Sequence, residues 1–323
     1  MILWVDDHIF APNSRIGETE RVSLFHTAFH QGHTLFVGES PGSAQHERLN
    51  TWLSGMAEPL KAELCDIVGI VGRVSSGSAD EARFPVACVS IRDNYANLRD
   101  MPAFAPGHAI RFMNQPLSIL VENMINDANF LLRCAPRIWR EALNQWQATG
   151  RLRFENAGGN GTELAILREF SQDTVALSRT GLPASAWKLR HFLVYDHDGA
   201  SAERPGDGAK ALAKECRNAG LTGRHHMLQR RKQENYCPKE ALEKLVHAKL
   251  LNSELRENAL RAIADHFKQP DRHYRNLPTT EAVSEDFFKN PFAQPISWVD
   301  DWFIRDGSSA EMVTICDAIK SVI

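Results

Sequence analysis

Shortages say more about this chain than abundances do. No stretch of about 18 consecutive apolar residues occurs, so a membrane-spanning helix is not expected. The six cysteines (Cys65, Cys88, Cys134, Cys216, Cys237, Cys316) include no CxxC pair, which argues against a zinc site and against a disulfide framework. Reduced thiols and a cytoplasmic location are the expectation, and the opening MILWVDDHIF, with neither a basic region nor an apolar run of signal-peptide length, agrees with it. A phosphate-binding GxxxxGK followed by Ser or Thr is missing, so the chain is not itself a P-loop ATPase. There is no excess of basic residues either. The formal net charge is -3, which argues against a broad basic coat for phosphate backbones but leaves room for a local basic channel. Repeats and low-complexity tracts are absent.

What remains is an ordinary globular composition, 43% hydrophobic and 24% charged over 323 residues. That length suggests about two domains at roughly 150 residues each. Residues 1–112 mix short apolar runs (ILWV at 2–5, TLFV at 34–37, IVGIV at 67–71, FPVACVSI at 84–91) with Gly, Ser and Pro breaks. These have strand length and composition, and the stretch from Ala44 to Leu64 has roughly helical apolar spacing. An N-terminal α/β region of unassigned role follows from this, with the Pro- and Gly-rich MPAFAPGHAI as its boundary.

A regular alternation then begins. PLSILVEN (116–123), RLRFEN (151–156), RHFLVYD (190–196) and HHMLQ (225–229) read as strands. Between them, 126–146, 162–170 and 207–220 read as helices, the last with a glycine past its end. Strands alternating with helices of this length predict a parallel sheet over 113–237. Residues 238–323 read as a helical C-terminal region with two amphipathic helices and an aromatic tail, DFF and PFAQPISWVDDWFI, suited to packing back on the body. The predicted fold class is therefore α/β, a central parallel sheet flanked by helices between an N-terminal α/β region and a helical C-terminal region.

In an open parallel sheet the strands' carboxyl ends face the ligand. Those ends carry Glu122, the turn AGGNG with Gly158, Gly159 and Gly161, and then Asp196-His197-Asp198-Gly199. Acids gathered at one crevice repel one another unless a cation is present. A hard ion with oxygen ligands, Mg²⁺ (or Mn²⁺), suits few carboxylates and substrate phosphates best. Each element has a plainer reading too. Glu122 is also an ordinary strand-end charge, DHDG a turn sequence, AGGNG a tight turn needing positive φ. His197, lying between the aspartates, points away from them on an extended strand and is read as structural.

The strand ending in Glu122, the glycine turn and the later strand ending in DxD-Gly together resemble the Toprim domain over about residues 115–235. Toprim domains occur in topoisomerases, bacterial primases, small ribonucleases and overcoming-lysogenization-defect (OLD-like) nucleases. The resemblance implies acid/base or metal-binding work for Glu122 and metal binding for Asp196 and Asp198. In the OLD-like group a further acid after the glutamate holds a second metal, and Asp127 is its counterpart here, although it is also placed as a helix N-cap. Asn123 stands where the family has glycine, and Asp127 lies five residues after Glu122 where the family has four. The segment LQRRKQENYCP (228–238) is similar to the basic-then-ENY stretch of phage-defence Toprim nucleases. It implies phosphate contacts from Arg230, Arg231 and Lys232 and a further carboxylate from Glu234, against plainer readings as a solvated face and as a buried anchor for the C-terminal helices. The implied function is a metal-dependent nuclease acting on DNA or RNA, the effector of an anti-phage defence system. The implied partner is a separate ATPase of the ABC or SMC type, and the oligomeric state is left open. The alternative is a non-catalytic binding or sensor subunit of a defence or DNA-maintenance complex. The opening LWVDDH superficially resembles the first strand of a phosphoacceptor receiver, but the later Asp and Lys such a fold needs do not fall at convincing places.

Overall fold

The structure, a computed structural model, describes residues 1–38, 46–72, 87–90, 102–249, 251–281 and 283–323. The chain divides into one unit of Met1–Pro116 with Leu177–Leu189, and a second of Leu117–Ala176 with Arg190–Ile323.

In the first unit, strands β1 (Ile2–Asp6), β2 (Thr34–Gly38), β3 (Ala87–Val89) and β4 (Ala103–Phe104) form a parallel sheet in the order β2-β1-β3-β4. Helices α1 (Glu18–Gln31), α2 (Glu47–Ser54), α3 (Leu60–Val71) and α4 (Pro106–Asn114) belong to it. The run IVGIV, expected as a strand, is the end of α3. Leu60, Leu64, Ile67 and Val71 recur at helical spacing and the last three are buried, a period that a five-residue window cannot distinguish from a strand. The expected boundary MPAFAPGHAI holds β4 and the start of α4 instead. Proline at the first turn of a helix needs no hydrogen-bond donor, so Pro106 starts a helix rather than breaking one. Parts of the expected 84–91 strand (84–86 and 91), and residues 44, 45 and 101, lie outside the described residues. Asp6 and Asp7, at the end of β1, are fully buried. Asp6 accepts from Ser90 Oγ at 2.7 Å, and Asp7 from the backbone amides of Arg48 and Leu49.

The second unit holds β5 (Leu117–Val121), α5 (Met124–Cys134), α6 (Arg137–Ala148), β6 (Leu152–Asn156), α7 (Asn160–Phe170) and part of α8 (Asp173–Thr180). The chain returns from α9 (Ala184–Leu189), which belongs to the first unit, into β7 (His191–Tyr195), α10 (Asp207–Asn218) and β8 (His225–Met227). The helical remainder comprises α11 (Lys239–Ala248), α12 (Ser253–Phe267), α13 (Glu285–Phe288), α14 (Asp300–Arg305) and α15 (Ser308–Val322). The single helix expected over 126–146 is two, because Pro136 lacks the amide that would continue it and forces Ala135 out of helical geometry.

The second sheet is parallel in the order β6-β5-β7-β8, with Leu120 opposite Glu155 and Leu193, and Tyr195 opposite Met227. β5 and β7 are buried along their whole lengths, as central strands covered on both faces must be. Leu117, Ile119, Val121, Phe192 and Val194 pack with α5, α11 and α15 in one apolar core. The aromatic tail joins it: Trp298 stacks between Phe292 and Phe303. Full burial of each such side chain is worth about 1.5–3 kcal/mol, so the C-terminal helices are part of the sheet's own core. The fold class is α/β with parallel sheets and a helical C-terminal region. No helix among the described residues is long and apolar enough to cross a membrane.

Candidate functional site

From β5 the chain crosses to β6 on one side, while from β7 it crosses to β8 on the other. Right-handed crossovers then place α5 and α6 on one face and α7 and α10 on the opposite face, and α7 packs on α10 as this requires. Between β5 and β7 the connections part, and a crevice opens at the carboxyl ends of these two strands. Glu122 follows β5 and Asp196 follows β7. The two carboxylates line one cavity of about 490 Å³ together with Glu234 and Lys232. A smaller cavity beside it is lined by Glu122, Asp127, Asp196 and Gln233.

Backbone geometry aims these groups. Asp196 is 7% exposed, and its Oδ1 accepts from the Gln233 amide at 3.2 Å. Asp198 adopts φ 53°, a left-handed conformation that Asp tolerates better than most residues. Its amide donates to Arg231 O at 2.8 Å, its Oδ2 accepts from Asn160 Nδ2 at 3.1 Å, and Lys232 Nζ stands 3.9 Å from its Oδ1. A Cβ on the next residue, Gly199, would lie 2.1 Å from Arg204 O, so only glycine fits there. In the AGGNG turn, Gly158 and Gly159 have φ of 72° and 91°. A Cβ on Gly159 would sit 3.3 Å from Glu122 Oε1, so the turn lets the backbone reach the carboxylate. Gly161, inside α7, has open space around it and no such role.

Asn123, where the family pattern has glycine, caps α5 by accepting from the amides of Ile125 and Asn126, and its own amide donates to Asp127 Oδ2 at 2.9 Å. Asp127 is thus tied into the helix start while also lining the smaller cavity, and its Oδ1 has no partner. One residue escaped the sequence reading. Glu163, in the first turn of α7, is fully buried and neither carboxylate oxygen has a partner.

The acids act on one another. Burial, then Glu234, Glu122, Asp198 and Asp127, push Asp196 well above the usual carboxylate range. Asp127 is raised to about 6, chiefly by burial, against hydrogen bonds from Asn123 and Gln233. Burial raises Glu234 to about 7 despite Lys232, and Asp127 and Glu122 add to it. Burial, with Glu122 and Asp127, raises Glu163 to about 8. Among the described residues no three His, Cys, Asp or Glu side chains stand in position to hold a metal ion as they lie. The donor set nonetheless suits a hard cation: carboxylates that repel one another, with Asp127 Oδ1 and Glu234 Oε2 buried and unpartnered and Glu122 on the cavity wall. Asp198 is exposed and lines neither of the two cavities.

Of the three basic residues expected to contact phosphate, only Lys232 lines the cavity. Arg230 is a correction: its guanidinium is buried, paired with Asp306, hydrogen-bonded to Asn235 O and stacked 4.6 Å over the Tyr236 ring. A cation held in that way serves the core. Arg231 is on neither cavity wall, and its amide donates to His273 O. The ENY triplet divides its work. Glu234 faces the cavity, Asn235 Nδ2 donates to Arg272 O and Arg275 O, and Tyr236 donates its hydroxyl to Glu311 of α15. His197 is buried and turned to Gly199 N and Ala202 O, as a structural residue.

Comparison with known proteins adds no relative, since no family model, no curated protein and no solved structure matches the chain.

Proposed function

We propose that this chain is a Toprim-type, Mg²⁺- or Mn²⁺-dependent nuclease that cleaves phosphodiester bonds in DNA or RNA, a cytoplasmic effector of anti-phage defence working with a separate ATPase of the ABC or SMC type. One observation carries the chemistry. Carboxylates from adjacent strands, Glu122 and Asp196, line one cavity at the point where the sheet's connections part, with Asp127 and Glu234 beside them. Asp196 and Asp198 would hold the cation, with Glu122, Asp127 and Glu234 completing or exchanging in its coordination. A bound ion of this kind neutralises charge developing on the phosphate and acidifies a coordinated water. Glu122, exposed and lining the cavity, would either join that coordination or take a proton from the attacking water. Lys232 lines the same cavity and attracts the phosphate. Defence and the ATPase partner rest on the resemblance of the 228–238 segment alone.

Asp198→Asn is the test. Cleavage of labelled oligonucleotides in Mg²⁺ or Mn²⁺ should disappear while the far-ultraviolet spectrum and unfolding midpoint stay near those of the parent; retained cleavage removes the mechanism. The existing contacts of Asp198 with Asn160 and Lys232 favour a second reading, a non-catalytic subunit in which this edge is held together without a metal. Thermal stabilisation by Mn²⁺ that vanishes in Asp196→Asn supports the enzyme. Ligand binding without any such metal response supports the subunit.

A further inference from the structure

The cavity has a second wall that the acids do not explain. Besides Glu122, Asp196 and Glu234 it is lined by Asn276, Leu277 and Thr279 and by Phe288, Lys289 and Asn290 of the C-terminal region. The wall is fixed to the acidic edge: Asn123 Nδ2 donates to Asn290 Oδ1 at 3.3 Å, and Asn235 reaches the carbonyls of Arg272 and Arg275 just before it. We propose that this cavity takes one nucleotide of an unpaired strand, with backbone phosphates drawn to Lys232 and Lys289 and the base against the Asn276–Thr279 wall. The inference rests on the reading of the edge as one that acts on phosphodiesters, and adds the substrate class.

Three observations point this way. Asp196 is only 7% exposed and lines the cavity, so a phosphate must enter a recess to meet it. A duplex carries each phosphate on a stiff surface beside a second strand, whereas a single strand can bend its backbone inward. The volume, about 490 Å³, falls within the roughly 300–1,000 Å³ of small-molecule pockets, which is room for a whole nucleotide and not merely for one phosphate. The lining chemistry is also divided. Lys232 and Lys289 supply positive charge, while Asn276 and Thr279 offer both donors and acceptors to a base edge. Lys232 would exchange its long contact with Asp198 for the phosphate. A net charge of -3 is in keeping with a local grip and not with general duplex coating.

The test is fluorescence anisotropy in EDTA, so that binding is read without cleavage, using a 12-nucleotide single-stranded DNA, the matching RNA and a blunt hairpin duplex. The expected result is that at least one single strand binds about tenfold or more tightly than the duplex, and comparison of the two strands tells DNA from RNA. Lys289→Ala, an exposed position whose folding is checked by circular dichroism, should weaken single-strand binding and reduce the salt slope by about 0.7, the effect of one lost phosphate contact. Thr279→Trp, which fills the recess, should weaken it further. Equal or tighter duplex binding, no binding of any probe, or indifference to both substitutions overturns the inference. The nuclease reading fails separately: single-strand preference without any Mg²⁺- or Mn²⁺-dependent cleavage leaves a single-strand-binding site and removes the enzyme. Duplex cleavage without single-strand preference does the reverse.

Discussion

Replacing Glu163 with glutamine should make the protein more stable in alkaline buffer, by an amount that depends on pH in a defined way. Glu163 has no exposed surface and no hydrogen-bond partner, and its acid is raised from 4.5 to about 8 in the folded chain. Below pH 4.5 both folded and unfolded chains keep the proton, and the parent has its full stability. Between 4.5 and about 8 the unfolded chain releases the proton and the folded chain holds it, so stability falls by about 1.4 kcal/mol per pH unit. Across the window this amounts to roughly 5 kcal/mol, a large share of a typical folding free energy of about 5–15 kcal/mol. Glutamine has nearly the same shape and cannot ionise. Glu163→Gln should therefore match the parent at pH 4.5 and exceed it by several kcal/mol at pH 8.5, measured by urea unfolding in EDTA. Asp127 and Glu234 also titrate in this interval, but they are present in both proteins and the difference curve largely removes them. Parallel stability curves for the two proteins from pH 4.5 to 8.5 would refute the reasoning.

Three further outcomes can be checked with the same preparations. Gly159→Ala places a Cβ 3.3 Å from Glu122 Oε1 at a φ of 91°, and should cost about 1–2 kcal/mol while lowering cleavage more than that loss explains, as read from unfolding midpoints and initial rates. Asp306→Asn leaves Arg230 and Arg272 without the carboxylate they share. A loss of about 3–5 kcal/mol is expected in urea titrations, with cleavage by the remaining folded protein near normal. Asp196→Asn, assayed without metal at pH 8, should unfold at a higher temperature than the parent, because the charge it removes is buried among four other acids that raise it.

The sequence exposes those parts of the site that sit at the ends of apolar runs. ILV before Glu122 and LVY before Asp196 mark strands that are buried on both faces, and the acid that ends such a strand must emerge at its carboxyl edge. Glu163 was hidden because TELAILREF reads only as a helix, which does not by itself say which of its glutamates is buried. The available signal was that Glu163 lies one turn from Leu167, on the stripe that faces the sheet, and both are buried. Arg230 was misread for a different reason. Its partner Asp306 is 76 positions further on, and local charge pattern carries no information about so distant a neighbour. The helix in 60–71 was mistaken in part for a strand because a run of five residues, four of them apolar, fits either period, and only the preceding turn decides between them.

The hydroxyl of Tyr236, held by Glu311, links the acidic edge to α15. The ring of the same tyrosine packs on Phe130 of α5 and its oxygen accepts from the Arg230 amide, so the segment that carries Glu234 is pinned from two sides at once. Losing α15 would strip one of them, and the position of the Glu234 carboxylate would then depend on a helix whose own residues never reach the cavity.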